Sequence, residues 1–98
     1  MKFTLRQIAV FAAVARQESV SRAAEALSLS QSATSTALAE LERLYETPLF
    51  DRIGKRLRLN ESGQSLLPLA LDILERAEAI EDALEGRAGY GSCVLARR

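Results

Sequence analysis

The sequence predicts a mainly α-helical fold in which three short helices precede a two-stranded β-hairpin and one long C-terminal helix. Three observations predict it: a capping residue precedes each helical segment, polar and apolar residues alternate beside Gly54, and an apolar heptad repeat follows Asn60. We expect residues 1–59 to form one compact domain and residues 60–86 to form the long helix. Residues 87–98 resemble a hinge that leads into a domain absent from this sequence.

The first two helices are predicted from their caps and their apolar spacing. Thr4 and the glutamine three residues later match a capping box. One apolar helical face follows it: Leu5, Ile8, Val10, Phe11, Val14 and Ala15. That helix should end near Gln17, because Ser19 is the next good cap. Ser19 starts a short second helix, in which Ala23 and Ala24 allow another helix to cross closely.

The third helix combines an apolar inner face with a polar leading end, and Ser30 can cap it. We expect the inner face to consist of Ala33, Ala37, Leu38, Leu41 and Leu44. We expect the outer face to consist of Gln31, Ser32, Ser35, Thr36 and Ala39. Serine and threonine do little to favour a helix, so stability does not explain their place in the first turns. A surface that offers hydrogen bonds does explain it.

A basic β-hairpin is predicted after Pro48. Two short segments flank Gly54, and the residues from Arg56 to Leu59 alternate between polar and apolar, as strands do. The segment carries four positive charges near its tip: Arg52, Lys55, Arg56 and Arg58. Such a cluster suits contact with phosphate groups. The alternatives are an ordinary solvated charge run and, for Arg52, an ion pair with an acid such as Glu42.

The apolar pattern of the final helix predicts a dimer. Asn60 can cap it, Gly86 and Gly89 are stop signals, and Pro68 is expected to bend it. A 4-3-4-3-4 spacing defines a heptad seam: Leu66, Ala70, Ile73, Ala77, Ile80 and Leu84. A second stripe runs beside it: Leu67, Leu71 and Leu74. A helix of about 25 residues is roughly 38 Å long and extends beyond a domain of about 60 residues, so its far end needs a partner. A second copy of the chain is the simplest partner that could cover this apolar surface. The alternative is that the helix packs only on its own domain.

The net charge of zero hides two segments of opposite sign. Residues 1–60 carry nine basic and six acidic residues, a net charge of +3. Residues 61–86 carry one basic and seven acidic residues, a net charge of −6. The N-terminal segment could therefore face phosphate, which would repel the acidic helix.

The composition argues against several classes of protein. No apolar run approaches the ~20 residues of a bilayer span, the N-terminus lacks a signal-peptide layout, and the single Cys93 suits a reducing compartment, so we expect a cytoplasmic protein. The chain has no histidine, no cysteine pair, no phosphate-binding glycine loop and no metal-ligand spacing. We therefore expect no enzyme, no metal and no cofactor. Only five residues are aromatic, which argues against a ligand-sensing cavity in this domain.

Taken together, the motifs resemble the N-terminal domain and linker helix of LysR-type transcriptional regulators. They span residues 3–86: Phe11; Ala23-Ala24-Glu25-Ala26-Leu27; Ser30-Gln31-Ser32-Ala33-Thr34-Ser35; Leu41-Glu42; Leu49-Phe50-Asp51-Arg52; and Gly63. Ser32 stands where proline is frequent in the family, and Thr36 where a long polar or basic side chain is frequent. Glu46 stands where a glycine commonly ends the third helix, and a left-handed backbone there would cost about 1 kcal/mol.

The resemblance implies a winged helix-turn-helix domain that binds double-stranded DNA, with a long C-terminal linker and dimerisation helix. The third helix would enter the major groove, where its leading end would contact bases: Gln31, Ser32, Ser35 and Thr36. The wing and two serines would contact the DNA backbone or the minor groove: Ser21, Ser30, Arg52, Lys55, Arg56 and Arg58. The Gln31 amide can donate and accept at once, which suits an adenine edge.

The resemblance also implies a bacterial regulator that works as a homodimer on an imperfect inverted repeat. Full-length dimers would associate into tetramers, and a C-terminal domain absent from this sequence would bind a small-molecule effector. Two other interpretations stay open. One is a different winged-helix repressor that senses a ligand in this domain, and the other is a helical dimerisation module that does not bind nucleic acid.

Overall fold

A computed structural model describes residues 1–86, and the predicted hinge at residues 87–98 lies outside them. The elements of the described part are α1 Leu5–Gln17, α2 Val20–Leu27, α3 Gln31–Leu44, β1 Phe50–Ile53, β2 Arg56–Leu59 and α4 Glu61–Leu84. The strands pair antiparallel in a two-stranded sheet. This order confirms the predicted fold class: three helices, a β wing and a long final helix.

Side-chain caps begin all four helices of the described chain. The Gln7 N–H donates to Thr4 Oγ1 at 3.1 Å, and the Thr4 N–H donates to Gln7 Oε1 at 2.9 Å, which completes the predicted capping box. The side-chain oxygens of Ser19, Ser30 and Asn60 each accept the backbone N–H three residues later, at 3.2, 3.0 and 2.8 Å. Because each cap satisfies an otherwise unpaired N–H and is worth about 1 kcal/mol, these residues determine where the helices start.

The core lies where α1, α2 and α3 meet, and α4 packs against α1 and β2 at its side. Phe11 is fully buried, and its ring centroid lies 5.6 Å from that of Phe50, which joins the first helix to the wing. The buried apolar residues come from every helix and from the loop before β1: Ile8, Val10, Phe11, Val14, Ala23, Ala24, Leu38, Leu41, Leu49 and Ala70.

One expectation for the inner face of α3 is wrong. Ala33 is exposed, and Thr34 takes the inward position with no accessible surface. The Thr34 hydroxyl donates to the Ser30 carbonyl oxygen at 2.9 Å. Because this hydrogen bond satisfies the hydroxyl within its own helix, threonine can occupy a core position that the apolar pattern assigned to its neighbour.

Two side chains hold the loop before the wing. Glu42 Oε2 accepts the Leu49 N–H at 2.7 Å, so this carboxylate binds the loop backbone and not Arg52. The Asn60 side-chain amide donates to the Pro48 carbonyl oxygen at 2.8 Å while its oxygen caps α4. Asn60 therefore joins the start of the long helix to the base of the wing.

The long helix is continuous through Pro68. Its heptad seam is buried at one position and exposed at others. Ala70 is 1% exposed and belongs to the core of its own domain, so its predicted place in the dimerisation seam is wrong. Gly63 lies so close to the Leu49 carbonyl oxygen that a Cβ atom there would overlap it. Further along, Ile80 and Leu84 are 59% and 72% exposed. The first half of α4 packs on the domain, and the second half leaves apolar surface uncovered.

Glu46 has a left-handed backbone, with φ of 48°, as expected if it replaces a terminal glycine. We expect Glu46→Gly to raise the free energy of unfolding by about 1 kcal/mol, because glycine adopts this conformation without steric cost. Urea unfolding followed by circular dichroism measures the gain. Glu46→Ala removes the same side chain but keeps the Cβ atom, so equal stabilities of the two variants would contradict backbone strain as the cause.

Candidate nucleic-acid interface

The leading end of α3 projects into solvent as predicted. Ser30, Gln31, Ser32, Ser35 and Thr36 are all exposed. Within residues 1–86 only Ser30 uses its side chain in a hydrogen bond to the protein, as the helix cap, and the other four side chains make none. These groups can therefore bind a ligand without breaking an internal contact, and the first turns of α3 present donors and acceptors together.

The exposed face of α3 extends beyond the residues that the sequence predicted to contact DNA. Positions four, three and four residues apart share one face of a helix, which places Ala39 and Arg43 in line with Ser32 and Thr36. The Arg43 guanidinium donates to Glu40 through Nε at 3.0 Å and Nη2 at 2.9 Å. These two hydrogen bonds lower the pKa of the Glu40 carboxyl below its usual value and raise the pKa of Arg43. The periodicity that starts at Ser32 was the signal by which Arg43 could have been found.

The four cations of the wing do not share one face. Gly54 makes the turn with φ of 64°, and the register places Arg52 opposite Leu57 and Arg58 opposite Asp51. Because paired residues of a β-sheet lie on the same face, Arg52 lies on the side of the sheet that carries Leu57. Arg56 and Arg58 lie on the other side, and all four cations are exposed.

Glu18, which follows α1, binds the wing in two ways. The Leu57 N–H donates to the Glu18 carbonyl oxygen at 3.1 Å. The Glu18 carboxylate lies between two arginines, with Oε1 3.5 Å from Arg56 Nη1 and Oε2 3.6 Å from Arg58 Nε. The sequence gives no local signal for this contact, because Glu18 and β2 are far apart in the chain.

A polar cleft of about 350 Å³ lies between the wing tip and the start of α2. Its lining combines three cations, one carboxylate and two polar side chains: Arg22, Lys55, Arg56, Glu18, Gln17 and Ser19. Ser21 is exposed beside it, with its Oγ 3.2 Å from that of Ser19. Arg22 of α2, for which the sequence predicted no role, therefore lies beside the cations of the wing tip.

Apolar surface flanks α4 on two sides. A groove of about 510 Å³ has a largely apolar lining: Phe3, Ile8, Leu41, Tyr45, Thr47, Leu49, Ser62, Leu66, Leu69, Ala70 and Ile73. A wider groove of about 950 Å³ lies between α1 and the second half of α4, with Leu5, Leu71 and Ile80 in its lining. The small number of aromatic residues did not predict the first groove, since aliphatic side chains form most of it.

Residues 1–86 contain no cluster of three or more side chains suited to holding a metal ion. None of the helices in this part of the chain combines the length and the hydropathy of a bilayer span.

Comparison with known proteins agrees with this geometry. The family model for bacterial regulatory helix-turn-helix proteins of the lysR family matches residues 5–64. The uncharacterized HTH-type transcriptional regulator YeiE of Escherichia coli (strain K12) is 52% identical over 81 residues, which cover 83% of this chain and 28% of that protein. The chain thus spans little more than a quarter of the length of this relative.

Solved structures resemble the chain over the same elements. A Corynebacterium glutamicum OxyR C206 mutant superposes with a TM-score of 0.85 and 31% identity, over 91% of this chain and 29% of that one. The DNA-binding domain in a CbnR–DNA complex superposes with a TM-score of 0.75 and 28% identity, over 86% of this chain and 97% of that one. The sequence match and the shared winged helix-turn-helix fold lead to one conclusion: this chain belongs to the LysR family of bacterial helix-turn-helix regulators.

Proposed function

We propose that this chain binds double-stranded DNA in a sequence-specific manner, as the DNA-binding part of a LysR-family transcriptional regulator. The observation that carries the proposal is the exposed leading end of α3, whose polar side chains have no internal hydrogen-bond partners within residues 1–86 apart from the Ser30 cap. An α-helix fits the major groove of B-DNA, where each base pair presents a distinct pattern of donors and acceptors. The similarity to a DNA-binding domain in complex with DNA supports the same arrangement.

Base contacts are assigned to Gln31, Ser32, Ser35 and Thr36. The Gln31 amide suits adenine, and the hydroxyls can reach bases or phosphates. The exposed Ala33, which the sequence analysis had placed inside, can add a methyl contact to thymine.

Backbone contacts are assigned to Ser21, Ser30, Lys55, Arg56 and Arg58, together with Arg52. The Ser30 oxygen accepts the capping hydrogen bond, which leaves its hydroxyl proton available to a phosphate. Because Arg52 lies on the other face of the hairpin, it would reach a different stretch of the DNA backbone or the minor groove. These contacts add affinity and orient α3 but carry little sequence information.

A salt titration tests DNA binding itself. Anisotropy of a labelled random duplex should show affinity that falls steeply as salt rises from about 50 to about 200 mM, because each phosphate contact adds about 0.9 to the slope of the log-log plot. Selection from a random duplex pool should then return a preferred half-site. A chain that binds no duplex at about 50 mM salt would favour the helical dimerisation module instead.

The wing gives a prediction of its own. We expect Arg56→Gln to weaken binding to preferred and random duplexes alike and to lower the magnitude of the salt slope by about one, because a phosphate contact is lost. The matched control is Arg76→Gln, which removes the same charge from the exposed surface of α4. An unchanged slope in Arg56→Gln would remove this residue from the phosphate contacts.

We further propose that two copies pair through the exposed apolar face of α4. Leu69 is 65% exposed, and it lies eleven and fifteen residues before the exposed Ile80 and Leu84. At about 100° per residue these spacings place the three side chains within roughly 60° of one another. The half-buried Leu66, Ile73 and Ala77 lie along the same face, whereas Ala70 belongs to the core. The narrower groove shares Leu66, Leu69 and Ile73 with this face, so we assign it to the partner chain and not to a small ligand.

The dimer would place its recognition helices about 34 Å apart on one side of the duplex, so the operator should be an imperfect inverted repeat. In the complete protein, dimers would associate into tetramers, and a domain outside this chain would bind a small-molecule effector. We propose that the protein acts in the cytoplasm and regulates transcription without catalysing a reaction. No metal or cofactor is part of this proposal.

A further inference from the structure

Glu18 has a backbone conformation that residues other than glycine rarely adopt. Its φ of 57° lies in the left-handed region, in which a Cβ atom clashes with the following carbonyl group. The conformation ends α1 and turns the Glu18 carbonyl toward the Leu57 N–H. A glycine would meet this backbone requirement with less strain, so helix termination does not explain a glutamate here.

The carboxylate does have a partner on the wing. It is the acid that pairs with both Arg56 and Arg58, at 3.5 and 3.6 Å, and its side chain is 31% exposed. The two arginine side chains are 72% and 57% exposed, so solvent and ligands can reach them. The three groups together carry a net charge of +1, where the two arginines alone would carry +2.

We propose that Glu18 is an internal competitor for DNA phosphate that limits how strongly the wing binds a duplex of any sequence. The inference rests on the proposed function, because it requires the wing to contact DNA. Carboxylate and phosphate oxygens are alternative acceptors for the same guanidinium donors, so an arginine that binds phosphate must loosen its contact with Glu18. A carboxylate held at the wing also repels the phosphate that approaches it.

The neighbouring cleft provides the place for this exchange. Arg22 and Lys55 line it together with Arg56 and Glu18, and neither Arg22 nor Lys55 forms an ion pair within residues 1–86. A phosphate in the cleft would meet these two cations first and would then compete for Arg56. Glu18 thus limits how much positive charge the folded wing can offer to phosphate.

The test compares Glu18→Gln with Glu75→Gln by titrating a random duplex at several salt concentrations. Both substitutions remove one negative charge, but Glu75 is an exposed residue of α4 and lines the groove beside α1. Glu18→Gln should bind about threefold to tenfold more tightly and steepen the salt slope by about one, because exposed ion pairs are weak and the wing gains one net positive charge that can bind phosphate. Glu75→Gln should leave both values close to those of the wild type.

A double-mutant cycle separates competition from a structural role. In an Arg56→Gln background, the gain in binding free energy from Glu18→Gln should shrink to about half, because one of the two competing arginines is gone. Glu18→Gly, which relieves the left-handed strain, should show the same gain in duplex affinity as Glu18→Gln. It therefore keeps the test valid if glutamine disturbs the turn.

The outcomes distinguish this inference from the proposed function. If the wild-type chain binds duplex but both Glu18 variants match the wild type or bind more weakly, the competitor role is wrong and DNA binding stands. If the gain persists undiminished without Arg56, the carboxylate does not act through that arginine, which also overturns the inference. A wild-type chain with no salt-dependent duplex binding overturns both proposals.

Discussion

Replacing Ile80 and Leu84 together by aspartate should convert the chain from a dimer into a monomer and weaken its binding to an inverted-repeat duplex by about a hundredfold or more. Both side chains are mostly exposed in the single chain, at 59% and 72%, so the substitutions remove no core contact. In a dimer the new carboxylates would be buried without partners, on a helix that already carries six acids. The loss of affinity follows because the second half-site is no longer bound within the same molecule.

Light scattering after size-exclusion chromatography measures the oligomeric state, and anisotropy on a two-site and a one-site duplex measures binding. The variant should bind the two-site duplex more weakly than the wild type does. On the one-site duplex, where one domain binds, the two proteins should have equal affinity. Leu71→Asp is the matched control, because Leu71 is also an exposed leucine of α4 but lies on another face. Dissociation caused by Leu71→Asp alone would move the interface to that face, and a wild-type chain that is already monomeric would contradict the dimer.

Gln31→Ala should cost about 1–3 kcal/mol on the preferred duplex and far less on a random one. On the preferred site this corresponds to roughly a fivefold to 150-fold loss of affinity. The physical reason is that the Gln31 amide can pair with a donor and an acceptor of one base edge, whereas alanine leaves that edge without a partner. The side chain is exposed and makes no hydrogen bond to the rest of residues 1–86, so the protein itself should stay as stable as before.

The preferred duplex comes from selection with the wild-type chain, and competition titrations then compare it with random DNA. Gln64→Ala on α4 is the control, since it removes the same side chain from an exposed position outside α3. Thermal unfolding of both variants checks that the fold is intact. An unchanged ratio of preferred to random affinity in Gln31→Ala would show that another residue reads this base.

Local sequence signals were sufficient to predict most elements of the fold. Caps and helical periods act over three or four residues, so Thr4, Ser19, Ser30 and Asn60 could be identified as helix starts without knowledge of the fold. The hairpin was equally local, since two short segments flank a turn glycine and the second of them alternates between polar and apolar residues. The polar leading end of α3 was predicted for the same reason.

The same signals failed where packing and local chemistry compete. An apolar pattern placed Ala33 inside and left Thr34 unassigned, because a pattern of side-chain polarity does not register a hydroxyl that binds its own helix. The heptad spacing grouped Ala70 with Ile80, although the domain covers the first and leaves the second exposed. Periodicity identifies a face of a helix but not the length over which the rest of the chain covers it.

By itself, then, the sequence determined the helices, the hairpin, the family and the polar end of α3, because each depends on residues close together in the chain. The tertiary structure alone decided that Arg52 is separated from Arg56 and Arg58, and that Glu18 lies between the last two. The Glu18 contacts join segments far apart in the chain. They exist only because the packed core around Phe11 brings the end of α1 against β2.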